Sequence, residues 1–227
     1  LTERLIQQDG VEFMLGPYST TMTKAVAPVT EKFKVPMVEA EGASRSLFTQ
    51  GYKYMFAVLS TSEYYLAPVL DIMADKAKAM GKNPSDLRIS MAFENDGFSL
   101  DVRAGVVDKA KEHGMKIVID DKLPADLSDM SATLTKTKAL KPDILLVSGH
   151  SKGAATAARQ IEEMKIDVPL IAYTHCEAAK VQEKFPKSAN GVMCPTQWLS
   201  NLPKGDDYFG DAAKWNSDFK KAYPEYS

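Results

Sequence analysis

The residues of this 227-residue chain best suited to chemistry are a cluster of hydroxyls, three histidines and one serine framed by glycines. In "LGPYSTTMT" four of the five residues from Ser19 to Thr23 carry a hydroxyl, directly after an apolar run and directly before a helical pattern. Free backbone N–H groups and the positive end of a helix dipole attract an anion at such a place, and hydroxyls add donors. A carboxylate suits it, whereas the lysine of a polyphosphate-binding loop is missing. Plain capping by Ser and Thr accounts for the same residues equally well. A second turn, "VEAEGASRS", brings Glu41, Gly42, Ala43 and Ser44, whose peptide groups are candidates for close ligand contact or for a solvated loop.

"VSGHSKGAA" matches G-x-S-x-G from Gly149 to Gly153, after a strand-like run and at the start of a helical one, as a serine nucleophile requires. Asp167 and His175 follow in the order acid, then histidine. Asp167, however, precedes a strand and so falls at the wrong end of a sheet, and no HGGG-type oxyanion segment is present. A serine hydrolase built on Ser151 is the weaker reading. His113, in "KEHGMK", sits at a helix C-terminus, where the dipole favours it. His150 and His175 both follow strands, so they are placed to share a cleft. With no matching carboxylate cluster they make a weak metal site, and hydrogen bonding to a ligand is expected instead, with no metal and no cofactor and with a passive loop role as the equal alternative for each alone. Tyr18, Phe98 and Trp198, each at a strand end, are candidate walls for a flat or apolar ligand, with core packing as the plain alternative.

These residues are positioned by short apolar, β-branched runs that alternate with helical patterns. Strands are predicted at 11–16, 35–40, 54–59, 87–93, 116–120, 143–149, 169–174 and 191–195. Helices are predicted near 21–32, 62–80, 98–113, 128–140, 153–164 and 178–185. That rhythm is the signature of a parallel, doubly wound α/β fold, and strands without polar alternation fit a sheet covered on both faces. Ligands of such sheets bind beyond the carboxyl ends of the strands, which selects Gly16–Thr23, Glu39–Ser46, Glu94–Ser99, Gly149–Gly153, Thr174–Glu177 and Pro195–Trp198. Residues 199–211 read as a Pro/Gly/Asp-rich loop.

Composition narrows the function classes. Hydrophobic residues make up 44% and charged ones 26%, as in an ordinary globular protein. Net charge is −2 and no basic stretch exceeds a lysine pair, so no nucleic-acid partner is expected. No apolar run approaches the roughly 20 residues that span a bilayer. Cys176 and Cys194 are too few for a disulfide framework; both are expected as free buried thiols, a bridge being sterically open. Leu1 opens inside an amphipathic pattern without an initiator methionine, and the chain reads as a fragment or a trimmed mature protein.

Taken in order, the segments resemble the extracytoplasmic substrate-binding proteins of ABC transporters, specifically the branched-chain amino-acid, type I periplasmic binding protein family. The resemblance is carried by "GPYSTTMTKAVAPVTEKFKVPMVEAEGASRSLF", "YKYMFAVLSTSEY", "AFENDGFSLDVRAGVVDKAKEHGMKIV", "LKPDILLVSGHSKGAATAARQIEEM", "ANGVMCPTQW" and "KWNSDFKKAYPEYS". It implies two doubly wound parallel-sheet lobes that close on a ligand between them: residues 1–57 with 195–227 as an incomplete first lobe, and 58–194 as the second. Ser19, Thr20 and Thr21 would then hold a ligand carboxylate, with contacts from Glu41, Gly42, Ala43 and Ser44, where Ala43 replaces a frequent Thr. Phe98 would close over the ligand, joined by His150 or Ser151. His175 stands where amino-acid binders commonly carry an acid for the ligand's ammonium group, which turns the expectation toward an aromatic acid, with nearby Glu177 keeping amino acids open. The resemblance further implies a monomer without catalytic residues, in the periplasm or outside the cell and lipid-anchored in the full-length protein. Its partners would be a small carboxylate ligand and a membrane permease. A ligand-sensing receptor domain on the same fold is the other alternative.

Overall fold

The computed structural model describes residues 1–226, except the side chains of residues 179, 180, 182 and 226. Residues Leu1–Pro195 form one compact unit and Thr196–Ser227 a second. The first unit begins with α1 (Thr2–Gln7), β1 (Met14–Leu15), α2 (Thr20–Phe33), β2 (Met37–Glu39), α3 (Arg45–Phe48) and β3 (Met55–Ala57). It continues with α4 (Ala67–Ala79), β4 (Arg88–Glu94), α5 (Gly97–His113), β5 (Lys116–Leu123), α6 (Ser131–Leu140) and β6 (Ile144–Ser148). It ends with α7 (Ser151–Glu163), β7 (Leu170–Tyr173), α8 (Ala179–Lys184) and α9 (Pro186–Ala189).

Two parallel sheets result. One has the order β1-β2-β3 and the other β5-β4-β6-β7. In the larger sheet the period of two along each strand divides the core. Ile89, Met91 and Phe93 of β4 and Ile144 and Leu146 of β6 pack with Val69, Leu70, Val102 and Val106 of α4 and α5. The alternate residues Ala92, Leu145 and Val147 pack with Leu134, Ala157, Ala158 and Ile161 of α6 and α7. Both faces are therefore covered, which is why these strands carry no polar alternation. Each such buried Leu or Ile contributes about 1.5–3 kcal/mol relative to exposure. The expected α/β, doubly wound parallel architecture is the one observed. In the smaller sheet the registered row Leu15–Val38–Phe56 is exposed on one side, while Met37 and Glu39 point inward.

The order β5-β4-β6-β7 places a topological switch between β4 and β6, whose carboxyl-end loops diverge and leave a crevice. Several local expectations need correction. The strand expected at 191–195 contributes one parallel bridge, Met193 to Ala172. Cys194 is bonded to Cys176, and Pro195 has no N–H to extend a ladder. The two cysteines are thus a disulfide rather than free thiols, closing a sequence separation of 18 with Cα atoms 5.6 Å apart. The helix expected from 62 starts as a 3-10 turn, Ser62–Tyr64; α4 begins at Ala67, with Pro68 in its first turn.

The second unit, taken by itself, contains a two-stranded antiparallel ladder, β8 (Gly205–Asp206) and β9 (Gly210–Asp211), where a plain loop was expected, followed by α10 (Ala212–Ala222). Trp198 meets Trp215 edge to face, with ring centroids 5.5 Å apart.

Candidate functional site

The loops after β1, β4, β6 and β7 converge within the first unit. Asp96 ends the turn after β4 and caps α5, its Oδ1 accepting from the Ser99 N–H at 2.8 Å. Its other oxygen, Oδ2, accepts from Nε2–H of His150, the residue that precedes α7, at 2.8 Å. The second nitrogen of His150, Nδ1, lies 2.9 Å from the Tyr18 hydroxyl, and that hydroxyl lies 3.5 Å from Nε2 of His175. Nδ1 of His175 is 2.9 Å from the Gly149 carbonyl oxygen. A carbonyl only accepts, so Nδ1 carries the proton and Nε2 is the acceptor for Tyr18. The hydrogen bond to Asp96 raises the pKa of His150, while burial lowers that of His175. Nε2–H of His150 is thus directed at Asp96, and the Tyr18 hydroxyl bridges Nδ1 of His150 and Nε2 of His175.

Phe98 closes the cluster from α5. Its ring lies 5.5 Å from that of His150, 5.8 Å from that of His175 and 5.4 Å from that of Tyr65, and only 5% of Phe98 is exposed. His175 adopts φ +60°, a left-handed conformation that histidine tolerates better than most residues.

Beneath His150 lies Glu94, the last residue of β4. Its side chain is 1% exposed, and burial, opposed by His150, raises its pKa to about 7. Oε1 accepts from the His150 backbone N–H at 3.4 Å, whereas Oε2 has no hydrogen-bond partner among the described residues. A Cβ at Gly149 would stand 2.5 Å from Oε1, and one at Gly153 2.7 Å from it. The two glycines that imitate a nucleophile elbow are therefore required by the Glu94 carboxyl group. Ser151 is exposed, and the ring nitrogens of His150 and His175 are engaged with Asp96, Tyr18 and Gly149 rather than with its hydroxyl.

The turn after β1 differs from its expected form. Ser19 is the N-cap of α2, but with φ +82° its side chain makes no cap hydrogen bond. Thr20 is buried, and its hydroxyl accepts from the Ser44 N–H at 3.2 Å, while Thr21 is exposed. The peptide groups expected to meet a ligand are also occupied. Glu39, fully buried, accepts from the N–H groups of Glu41 at 2.6 Å and Gly42 at 2.5 Å and from the Thr23 hydroxyl at 2.8 Å. Ala43 is buried and its carbonyl oxygen accepts from the Ser62 N–H; the Ser44 hydroxyl bonds that of Ser46. Of the residues selected from the sequence, Tyr18, Phe98, His150 and His175 come together, and Trp198 belongs to the second unit. Sequence reasoning does not single out Glu39, Glu94 or Asp96, although the strand-end stretches Glu39–Ser46 and Glu94–Ser99 contain them.

Two parallel α/β sheets in succession, with aromatic and polar side chains gathered at a switch point, define an α/β protein with a candidate ligand site. The chain belongs to the periplasmic binding protein family, whose model matches residues 1–227. It is 24% identical over 161 residues to the Leu/Ile/Val-binding protein homolog 8 of Brucella abortus, a match covering 70% of this chain and 40% of that protein. This chain thus matches less than half the length of that relative. Its fold matches the leucine-binding protein LivK of Thermotoga maritima with a TM-score of 0.78 at 20% identity, covering 98% of this chain and 60% of that one. It also matches an ABC-transporter solute-binding protein of R. palustris solved in complex with benzoate, with a TM-score of 0.80 at 13% identity over 98% of this chain and 58% of that one. The fold is that of the type I periplasmic binding proteins.

Proposed function

We propose that this chain is the solute-binding part of an extracytoplasmic ABC-transporter protein, holding a small carboxylate-bearing ligand for delivery to a membrane permease. The observation that carries the reading is the Tyr18–His150–His175 cluster with Phe98 at the β4/β6 switch point, where ligands of this architecture bind. The ligand carboxylate is assigned to the first turn of α2, whose N–H groups lack a side-chain cap. The lobes divide as residues 1–57 with 195–227 and residues 58–194, and their closure delivers the ligand to the permease. The role is binding without chemistry. The protein acts as a monomer in the periplasm or outside the cell, lipid-anchored in its full-length form.

An aromatic acid is the preferred ligand: Tyr18, half exposed, offers a ring face, and His175, its pKa lowered by burial, offers no charge to an ammonium group. The solute-binding protein solved with benzoate supports this class, as does one solved with 4-hydroxybenzoate. One observation favours an amino-acid-like ligand as second reading. Burial and then the carboxylates of Glu41, Glu94, Asp96 and Glu177 raise the pKa of Tyr18, and acidic groups this close to the cluster suit an ammonium group. A thermal-shift panel separates the two, since a ligand raises apparent stability by mass action. Benzoates raising Tm while leucine, isoleucine and valine do not is the expected result; stabilisation by amino acids alone overturns the aromatic assignment.

A further inference from the structure

Glu94, Asp96 and His150 form a second arrangement that solute binding does not require. One oxygen of each carboxylate is fixed by backbone, Glu94 Oε1 by the His150 N–H and Asp96 Oδ1 by the Ser99 N–H. The remaining oxygens face the same ring nitrogen. Asp96 Oδ2 is 2.8 Å from His150 Nε2 and Glu94 Oε2 is 4.0 Å from it, and the three donor atoms all lie within 4.8 Å of one another. A first-row divalent ion with bonds of about 2.0–2.2 Å holds neighbouring ligands about 2.9–3.5 Å apart, so the observed spacings bracket those of a bound ion.

Two further features point the same way. Glu94 Oε2 is a buried oxygen without a hydrogen-bond partner among the described residues, on a side chain only 1% exposed. Such a group costs stability unless something compensates it. The other nitrogen of His150 is held by the Tyr18 hydroxyl, and ligating histidines are commonly oriented through their second nitrogen in this way. We infer that Glu94 Oε2, Asp96 Oδ2 and His150 Nε2 form a binding site for a divalent first-row transition-metal ion. One imidazole with two carboxylates favours Zn²⁺ or its neighbours over Mg²⁺, and three protein ligands leave a position open to water. The ion takes the place of the proton that His150 shares with Asp96.

Two other groupings serve as internal controls. Cys176 and Cys194 are joined in a disulfide and do not ligate beside Glu177. Asp71, Glu112 and His113 cluster nearer the surface, where Lys109 bridges both acids. The test is calorimetric titration of Zn²⁺ into the chelator-treated, oxidised chain without solute, so the outcome is independent of the solute-binding reading. The expected result is one saturable site per chain, weakened at least tenfold by Glu94→Gln and by His150→Gln and unchanged by His113→Gln. Co²⁺ added to the unsubstituted chain should give visible d–d absorption that Zn²⁺ displaces, a readout that needs no variant to fold. No saturable heat, no Co²⁺ spectrum, or loss of binding only in His113→Gln overturns the assignment.

Discussion

Glu39 shapes the loop that faces the proposed solute site, and its removal should be costly in a characteristic way. The carboxylate is fully buried and receives three donors: the N–H groups of Glu41 and Gly42 and the Thr23 hydroxyl, at 2.5–2.8 Å. Glu39→Ala takes the acceptor from the N–H groups of Glu41, an exposed residue, and Gly42, a buried one, at about 1–3 kcal/mol each. Thr23 keeps a second acceptor, the Ser19 carbonyl oxygen at 2.9 Å, so it adds little to the cost. The total is about 2–6 kcal/mol, or a fall in Tm of roughly 4–24 °C for a domain of this size. Glu39→Gln behaves differently. Its Oε1 still accepts both N–H groups, and its amide donates to Thr23 Oγ1, which turns its own proton to Ser19. The loss is then the charge assistance alone, about 1–1.5 kcal/mol. Urea denaturation of the two variants, read as midpoint at constant slope, measures the difference. Equal costs for Ala and Gln, or an Ala variant within 0.5 kcal/mol of the parent, would refute the reasoning.

Three other outcomes follow from the same kind of geometry. Gly149→Ala sets a Cβ 2.5 Å from Glu94 Oε1 and should cost about 1–3 kcal/mol, a cost that falls toward zero when Glu94→Ala is made as well; equal cost in both backgrounds contradicts it. The paired hydrogen bond from Arg103 holds the Asp120 carboxyl below its ordinary range. Its folded-state pKa is depressed, so the contribution is complete above about pH 4 and disappears as pH falls through the folded value. The stability gap between parent and Arg103→Gln should therefore close in strong acid, and a gap constant with pH excludes the pairing. Replacing Cys176 and Cys194 by Ser opens a loop of 18 residues and should lower stability by about 3 kcal/mol in urea, and only under oxidising conditions; a loss that persists in reductant contradicts this.

Where apolar period and turn chemistry spoke together, the sequence foretold the structure closely. The run "LRISMAF" became β4, and "DILLVSG" became β6, because strands covered on both faces leave an uninterrupted apolar signature. The weaker elements depended on partners far away in sequence. Residues 191–195 look like a strand by composition, yet the Cys176–Cys194 bond and Pro195 limit them to one bridge. At the site, Tyr18, Phe98, His150 and His175 were legible because ring-bearing residues at strand ends are conspicuous. Glu39, Glu94 and Asp96 were not, because nothing local distinguishes a buried carboxylate from a solvated one. What separates them is the space left by other residues: Gly16 and Gly42 around Glu39, Gly149 and Gly153 around Glu94. The glycines of "GHSKG" suggested a nucleophile for the same reason, since the sequence reveals a missing Cβ but not the group that fills its place.

The central claim is that the Tyr18–His150–His175 cluster recognises an organic acid. Its most direct test is calorimetric titration of 4-hydroxybenzoate and of leucine into the chain and into Tyr18→Phe. Saturable one-to-one binding of the aromatic acid, tighter than leucine, is expected, with a loss of about 0.5–1.5 kcal/mol, or roughly 2- to 13-fold, when the hydroxyl is removed. Leucine binding more tightly than the aromatic acid, or affinity indifferent to Tyr18→Phe, would contradict it.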